Sequence, residues 1–290
     1  MTITGHTRVF YTIADPITQV RTPEVFNAVL PLCNIDAVMV PLHVGVEDLD
    51  IVVRSLFRSP TTGGIILSIP HKPAAAALVD HCSKAAATAN AVNAIRRNAS
   101  GQLEGELFDG LGFLKSLDRH GMKYRGQHIL LIGAGGAASA IATALAVEEP
   151  ARLALFDPDT SKAEQLAHSI ETQYGVDTTV QSCNDPAGFD LVINASPLGL
   201  KPDDPLPVPV DRLEPSAQVC DILMKNQPTP LLRAAMARDI AVQPGFDMLI
   251  LQTPFFFDFF GLTEAAALLR QDDSVVRNLL FPTNSTPAAV

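Results

Sequence analysis

The chain is poor in the features that would tie it to a metal, a membrane or a nucleic acid. Only four of its 290 residues are cysteine (Cys33, Cys82, Cys183 and Cys220), and no two of them form a C-x-x-C pair. They exclude a zinc cluster and a disulfide framework, and are expected to be reduced, mostly buried small apolar residues of a cytoplasmic protein. Basic residues are also few, 21 against 31 acidic for a net charge of −10, and they are scattered. Binding along a phosphate backbone is therefore excluded, and no nucleic-acid partner is expected. The opening Met1-Thr-Ile-Thr-Gly-His-Thr-Arg8 lacks the basic start and apolar block of a signal peptide. No internal repeat is present.

Apolar material is plentiful. Hydrophobic residues make up 47% of the chain and charged residues 18%, enough for one large domain or two modest ones. The segment 127–147 carries no charged residue, and a hydropathy window would mark it as a membrane span. Its centre, however, holds Gly133, Gly135 and Gly136, followed by small alanines. This is the pattern of a buried parallel strand turning tightly into a helix, so a soluble protein without a membrane partner is expected. In such a turn Gly133, Ala134, Gly135, Gly136 and Ala137 bring the backbone close to a pyrophosphate resting on the positive helix N-terminus. Asp157 ends the next apolar run, and an acid about 20 residues on binds the adenosine ribose hydroxyls in nucleotide folds. A glycine-rich turn between packed elements is the plainer alternative.

Through the second half, apolar runs at 129–132, 153–156, 178–181, 191–194 and 219–223 alternate with helical patterns. The clearest is 160–174, with Ala163, Leu166, Ala167 and Ile170 on one stripe and Asp159 or Thr160 as its cap. Short continuous apolar strands separated by helices predict a parallel sheet covered on both faces. The first half predicts strands at 9–14, 37–42, 64–69 and 93–97, with helices at 22–32 and 73–80. Both halves together hold more strands than one compact sheet usually does, so two α/β domains are expected. The boundaries are read as a substrate domain over 1–109, a dinucleotide domain over 110–245 and a helical segment over 246–290. The end, 282–290, reads as a loose tail.

Four residues stand where chemistry is conceivable. Lys72, in Ser68-Ile-Pro-His-Lys72, is either a solvated surface lysine or a partly desolvated amine able to exchange a proton with a reacting hydroxyl. Asp109, in Phe108-Asp-Gly-Leu-Gly112, is either a turn or cap residue or a carboxylate at a domain junction. Asn93 and Gln252 are structural amides or ligand-binding ones.

In their order along the chain these pieces resemble the shikimate dehydrogenase family over nearly the full length. The matching segments are Ala14-Asp-Pro-Ile17 with Thr22-Pro23, Ile69-Pro-His-Lys72, Ala91-Val-Asn93, Asp109-Gly-Leu-Gly-Phe113 and Gly133-Ala-Gly-Gly-Ala137. Further along come Asp190-Leu-Val-Ile-Asn-Ala-Ser-Pro-Leu-Gly199, Thr229-Pro-Leu-Leu232, and Gly245 with Met248-Leu249 and Gln252. The resemblance implies an N-terminal α/β substrate domain, a Rossmann cofactor domain and a C-terminal helix returning to the substrate domain. It implies Lys72 and Asp109 as a catalytic pair beside the alcohol, and Asn93 and Gln252 as binders of ring hydroxyls. Val20, Thr22 and Ser68 fall at the other substrate positions. Ser196, Met224 and Gly245 fall on the cofactor side with the glycine loop and Asp157. No metal is implied.

The chain also departs from the family's pattern. Val20 and Thr22 stand where two serines usually hold a carboxylate, and Ile66-Leu67-Ser68 replaces Asn-Val-Thr. Leu107-Phe108 replaces Asn-Thr, and Met224 replaces a tyrosine. The hydroxyl-recognising end persists while the carboxylate end becomes more apolar, which predicts the same chemistry on a different or broader cyclic hydroxy acid or polyol. Asp157-Pro158-Asp159 replaces the Asn-Arg-Thr of NADP users, so NAD is expected over NADP. The alternative reading is a non-catalytic ligand sensor on the same scaffold; retention of both Lys72 and Asp109 favours the enzyme. A related two-domain folate dehydrogenase fits the motif order less well. The five phenylalanines of 253–260 predict the apolar face of the returning helix. A monomer or homodimer would be ordinary.

Overall fold

The structure is a computed structural model and describes residues 2–201, 203–224 and 228–280. The tail expected at 282–290 lies outside the described residues. Among the described residues two compact units form: 2–87, 91–108 and 252–280 make the first, and 88–90 with those of 109–251 the second.

The first unit is built on β1 (Arg8–Ala14), α1 (Thr22–Val29), β2 (Ala37–His43), α2 (Leu49–Leu56), β3 (Thr62–Leu67), α3 (Lys72–Ala76), β4 (His81–Cys82), α4 (Lys84–Ala89), β5 (Ala94–Arg97) and β6 (Leu103–Glu106). The sheet order is β2-β1-β3-β5-β6-β4. β2, β1 and β3 run parallel, β5 is antiparallel to both β3 and β6, and β4 is parallel to β6. α1 buries Thr22, Val25, Phe26 and Val29, the spacing of one helical face. It stops at Val29, short of the expected 22–32. Pro31 lacks the N–H and its ring crowds the preceding turn, so Leu30–Cys33 tightens into a 3-10 turn closed by Asn34 at φ +53°. The helix expected at 73–80 shrinks to α3.

The second unit holds α5 (Asp109–Arg119), β7 (His128–Ile132), α6 (Gly136–Val147), β8 (Arg152–Phe156), α7 (Thr160–Tyr174), β9 (Thr178–Val180), β10 (Leu191–Asn194), β11 (Gln218–Asp221), α8 (Pro230–Met236) and β12 (Ala241–Pro244). It also contains the first part of α9 (Phe246–Phe259). Its sheet, β12-β11-β10-β7-β8-β9, is parallel throughout. Counted within the unit, this is the doubly wound order 3-2-1-4-5-6. Ile129 and Leu131 pack with α6 and α7 on one face, while Leu130 and Ile132 pack with Val192, Val219 and α8 on the other. Both faces are covered, so the strands are continuously apolar. α7 spans the residues expected, but Asp159 does not cap it: its carboxylate accepts from Ser161 Oγ at 2.6 Å instead.

The rest of α9 returns to the first unit, followed by α10 (Thr263–Gln271) and α11 (Ser274–Leu280). Its phenylalanines meet the first sheet: Phe257 lies 4.3 Å from Phe26 and Phe260 5.2 Å from Phe10, ring centre to ring centre. Phe108 is ringed by Phe255, Phe256 and Phe259. Gly64 makes the room, since a Cβ there would stand 2.3 Å from the Phe260 ring. Arg96 Nη1 donates to the Phe259 carbonyl at 2.6 Å, and its guanidinium lies 4.5 Å over that ring.

The cysteines correct the sequence reading. Cys82 and Cys183 are exposed, Cys33 is half-buried and only Cys220 is buried. Cys82 sits on the edge strand β4 and Cys183 in the loop after β9, where there is no core to enter. Among the described residues no helix is long and apolar enough to cross a membrane.

Candidate active site

The second unit gathers the residues expected on the cofactor side, Gly133, Asp157, Ser196, Met224 and Gly245, at the carboxyl ends of its strands, around the switch point between β7 and β10 where the winding reverses. Gly133 leaves β7 at φ +107°, and a Cβ there would come 2.9 Å from the Ala195 carbonyl. Glycine is therefore required twice, for the backbone angle and for the close approach. Gly135 precedes α6 in extended conformation, and a Cβ on it would meet open space. The first-turn N–H groups of α6, beginning at Gly136 and Ala137, have no intrahelical acceptors and sit at the positive end of a 12-residue helix. The cradle suits a pyrophosphate.

Asp157 follows β8. Its Oδ2 accepts the Ala134 N–H at 2.8 Å and its Oδ1 accepts the Asp159 N–H at 2.8 Å, so the carboxylate is held against the glycine loop. Hydrogen bonds from Ser161, then Lys162, hold the Asp159 carboxyl below the usual range, and that residue is anionic. Ser196 Oγ donates to Asn194 Oδ1 at 2.6 Å. Gly245 lies where a Cβ would be 2.4 Å from the Ile222 carbonyl group, next to the exit of β11 that leads to half-buried Met224.

Asp109 opens α5 in this unit and is 4% exposed. Gly110 beside it packs on α6, since a Cβ would stand 2.2 Å from the Ala140 carbonyl oxygen. The acid therefore starts a helix locked to the one that follows the glycine loop.

In the first unit, Lys72 opens α3, and its carbonyl accepts the Val92 N–H at 2.9 Å. The next residue, Asn93, is 1% exposed, and its Oδ1 accepts the Phe108 N–H at 3.0 Å. Lys72 and Asn93 thus stem from adjoining backbone. Ser68, half-buried at the end of β3, donates its backbone N–H to Ile13 and accepts from His71. Buried His71 is fixed by its Nε2 on the Val44 carbonyl at 2.9 Å. Val20 is half-buried, and Thr22 is buried at the start of α1. Arg21 between them forks onto Glu24, 2.9 Å from Nε to either carboxylate oxygen. Gln252 in α9 is 5% exposed, and its Oε1 has no hydrogen-bond partner among the described residues. A buried acceptor left open in this way fits a ligand donor.

One cluster escaped the sequence reading. Asp221, at the end of β11, accepts from Asn194 Nδ2 at 3.0 Å, Leu223 N–H at 3.2 Å and Thr229 Oγ1 at 2.6 Å. It joins the exits of β10 and β11 to the cap of α8, where Thr229 also accepts from Leu232 N–H. Burial pushes its carboxyl up to about 6, against the lowering effect of those three donors. The available signal was a single charge inside the apolar run 219–223.

Comparison with known proteins matches residues 12–95 to the model described as the shikimate dehydrogenase substrate binding domain. A "shikimate dehydrogenase (NADP(+))" of Rubrobacter xylanophilus is 34% identical over 254 residues, covering 86% of this chain and 89% of the relative. Among solved structures, shikimate 5-dehydrogenase from Listeria monocytogenes in complex with shikimate and NAD aligns with a TM-score of 0.84 and 26% identity, covering 97% and 99% of the two chains. A ligand-free 5-ketofructose reductase of Gluconobacter sp. strain CHM43 aligns with a TM-score of 0.83 at 26% identity, covering 95% and 100%. The chain belongs to the shikimate dehydrogenase family and is an oxidoreductase of the shikimate/quinate dehydrogenase type, NAD(P)-dependent and acting on a CH–OH group.

Proposed function

We propose that this protein interconverts an alcohol and a ketone on a cyclic hydroxy acid or polyol, with NAD as the preferred cofactor. The observation that carries the reading is the buried, unpartnered Oε1 of Gln252, an acceptor suited to a ring hydroxyl. Asn93 supports it: its Oδ1 is engaged by the Phe108 N–H, so its amide NH2 is the group suited to a hydroxyl oxygen. Lys72 takes the alcohol proton as the carbonyl forms and returns it in the reverse direction. Asp109 is the acid assigned to orient the hydroxyl. When bound, the nicotinamide supplies the hydride chemistry. The glycine loop and the α6 N-terminus hold its pyrophosphate, with Ser196, Met224 and Gly245 on the same cofactor side.

The substrate preference follows from the other end of the pocket. Val20 cannot donate a hydrogen bond and Arg21 is committed to Glu24, leaving Thr22 and Ser68 as hydroxyl donors. Each missing contact to a buried carboxylate costs about 1–3 kcal/mol. Substrates less dependent on a carboxylate are favoured, in keeping with the likeness to a 5-ketofructose reductase. For the cofactor, Asp157 accepts from ribose hydroxyls, whereas Asp157 and anionic Asp159 repel a 2′-phosphate. Lys162, the cation beside them, is paired with Asp159 at 3.3 Å. The relative from Rubrobacter xylanophilus is named for NADP(+), so this loop sets the two apart.

The test is a matrix of NAD+ and NADP+ against shikimate, quinate and carboxylate-free cyclic polyols, followed by the absorbance of the reduced nicotinamide. A kcat/KM at least as high for a neutral polyol as for shikimate, and higher with NAD+, is expected. Strong preference for shikimate defeats the substrate reading, and strong preference for NADP+ the cofactor reading. No turnover of any alcohol favours the ligand sensor.

A further inference from the structure

Two polar bonds tie α5 to the segment that leads into α9. Gln243 Nε2 donates to Ser116 Oγ, and both side chains are fully buried. The Ser116 hydroxyl donates onward to the Phe113 carbonyl at 2.6 Å, and Gln243 Oε1 accepts from Cys220 at 3.2 Å. One helical turn further, His120 Nε2 donates to Asp247 Oδ2 at 2.6 Å.

The second bond joins unequal environments. The His120 side chain is 31% exposed and that of Asp247 only 4%. A carboxylate so buried is expensive without strong donors. Asp247 lies in the first turn of α9, the positive end, and His120 lies just past the last residue of α5, the negative end. Both dipoles favour the pairing. Two residues before Asp247, Gly245 is backed against the Ile222–Leu223 backbone, which limits movement from the other side. An apolar pair of similar volume would fill this space at no loss of stability. What a directional bond adds is position.

Gln252 stands five residues beyond Asp247 on the same helix, about 7.5 Å along its axis. We propose that His120 is a positioning residue. By holding Asp247 it fixes the rotation and height of the first turn of α9, and hence where the Gln252 amide meets the substrate. The proposal rests on Gln252 being a substrate contact, and the experiment separates the two ideas.

Steady-state kinetics of the full chain are compared for wild type, His120→Ala, His120→Gln and Gln252→Leu, using NAD+ and the preferred alcohol of the panel above. His120→Ala is expected to raise KM for the alcohol about five- to tenfold. KM for NAD+ and kcat should stay within about twofold. His120→Gln, which keeps a donor of similar reach, is expected to restore most of the loss. If Gln252→Leu raises the alcohol KM and His120→Ala does not, the positioning role is overturned and the Gln252 assignment survives. If Gln252→Leu changes nothing, the assignment falls and takes the proposal with it. A rise in both KM values together with a lowered Tm, or no recovery with glutamine, makes the bond merely structural and also overturns the proposal.

Discussion

The two units solve the same packing problem with different side chains. The first fills its core with rings and removes side chains beneath them: Phe260 rests over Gly64, and Phe10 lies over Gly63. The second uses aliphatic residues on both sheet faces and lets backbone approach backbone at Gly110, Gly133 and Gly245. Rings against glycine leave a neighbour that can yield, because the atom met is the end of a side chain. Carbonyls against glycine leave nothing to yield. The first arrangement suits a surface that adapts to its substrate, and the second a fixed seat for a cofactor.

The largest expected effect lies in the chemistry assigned to the first unit. Lys72→Ala should lower kcat about a hundred- to ten-thousandfold with the NAD+ dissociation constant, read by fluorescence titration, unchanged. A parallel loss of NAD+ binding would put Lys72 in the wrong half.

Glycine substitutions test the comparison itself. Gly110→Ala meets the Ala140 carbonyl oxygen and should destabilise by about 3 kcal/mol or slightly more, lowering Tm with no second-site rescue. Gly64→Ala should cost less, and pairing it with Phe260→Leu should recover much of the Tm. Equal penalties without rescue would dissolve the distinction.

A smaller effect concerns Asp221. Its folded-state value of about 6 exceeds the unfolded carboxylate value of about 4, so the native state binds the extra proton in this window. Stability therefore falls as pH rises from about 4 to about 6, by at most about 3 kcal/mol. Asp221→Asn removes the titration, and its stability relative to wild type should climb across that window and then level off in urea unfolding series. A difference flat with pH would show that the carboxyl is not perturbed.

The smallest effect expected is at the cofactor loop. Asp157→Ala should shift the NAD+/NADP+ ratio of kcat/KM toward NADP+ about tenfold, or about 1.4 kcal/mol. An unchanged ratio would remove Asp157 from ribose recognition.

How much of this was written plainly along the chain also differs between the units. In the second unit the runs at 129–132, 153–156 and 191–194 are strands because a doubly covered parallel sheet needs unbroken apolar stretches, and such stretches are visible locally. The turn after β7 was legible because it is glycine-rich and, at Gly133, admits nothing else. β6, with glutamates at positions 104 and 106 flanking Gly105, and β12, ending at Pro244, were overlooked. Neither has the composition of an isolated strand; pairing with neighbours decides them. The open acceptor of Gln252 and the bond between His120 and Asp247 could not be read at all, since they depend on burial and on partners far away in sequence. The same holds for Asp221, whose side-chain partner Asn194 lies 27 residues earlier.

The return of α9 also bears on the order of events on the ribosome. The second unit is nearly continuous in sequence and can close while the chain is still being made. The first cannot, because Gly64 waits for Phe260, 196 residues later. At about 5–20 residues per second, the half-finished sheet stands uncovered for roughly 10–40 s in each round of synthesis. During that interval its aromatic floor is bare, so nascent chains of this protein should be prominent clients of ribosome-associated chaperones until the last helices emerge.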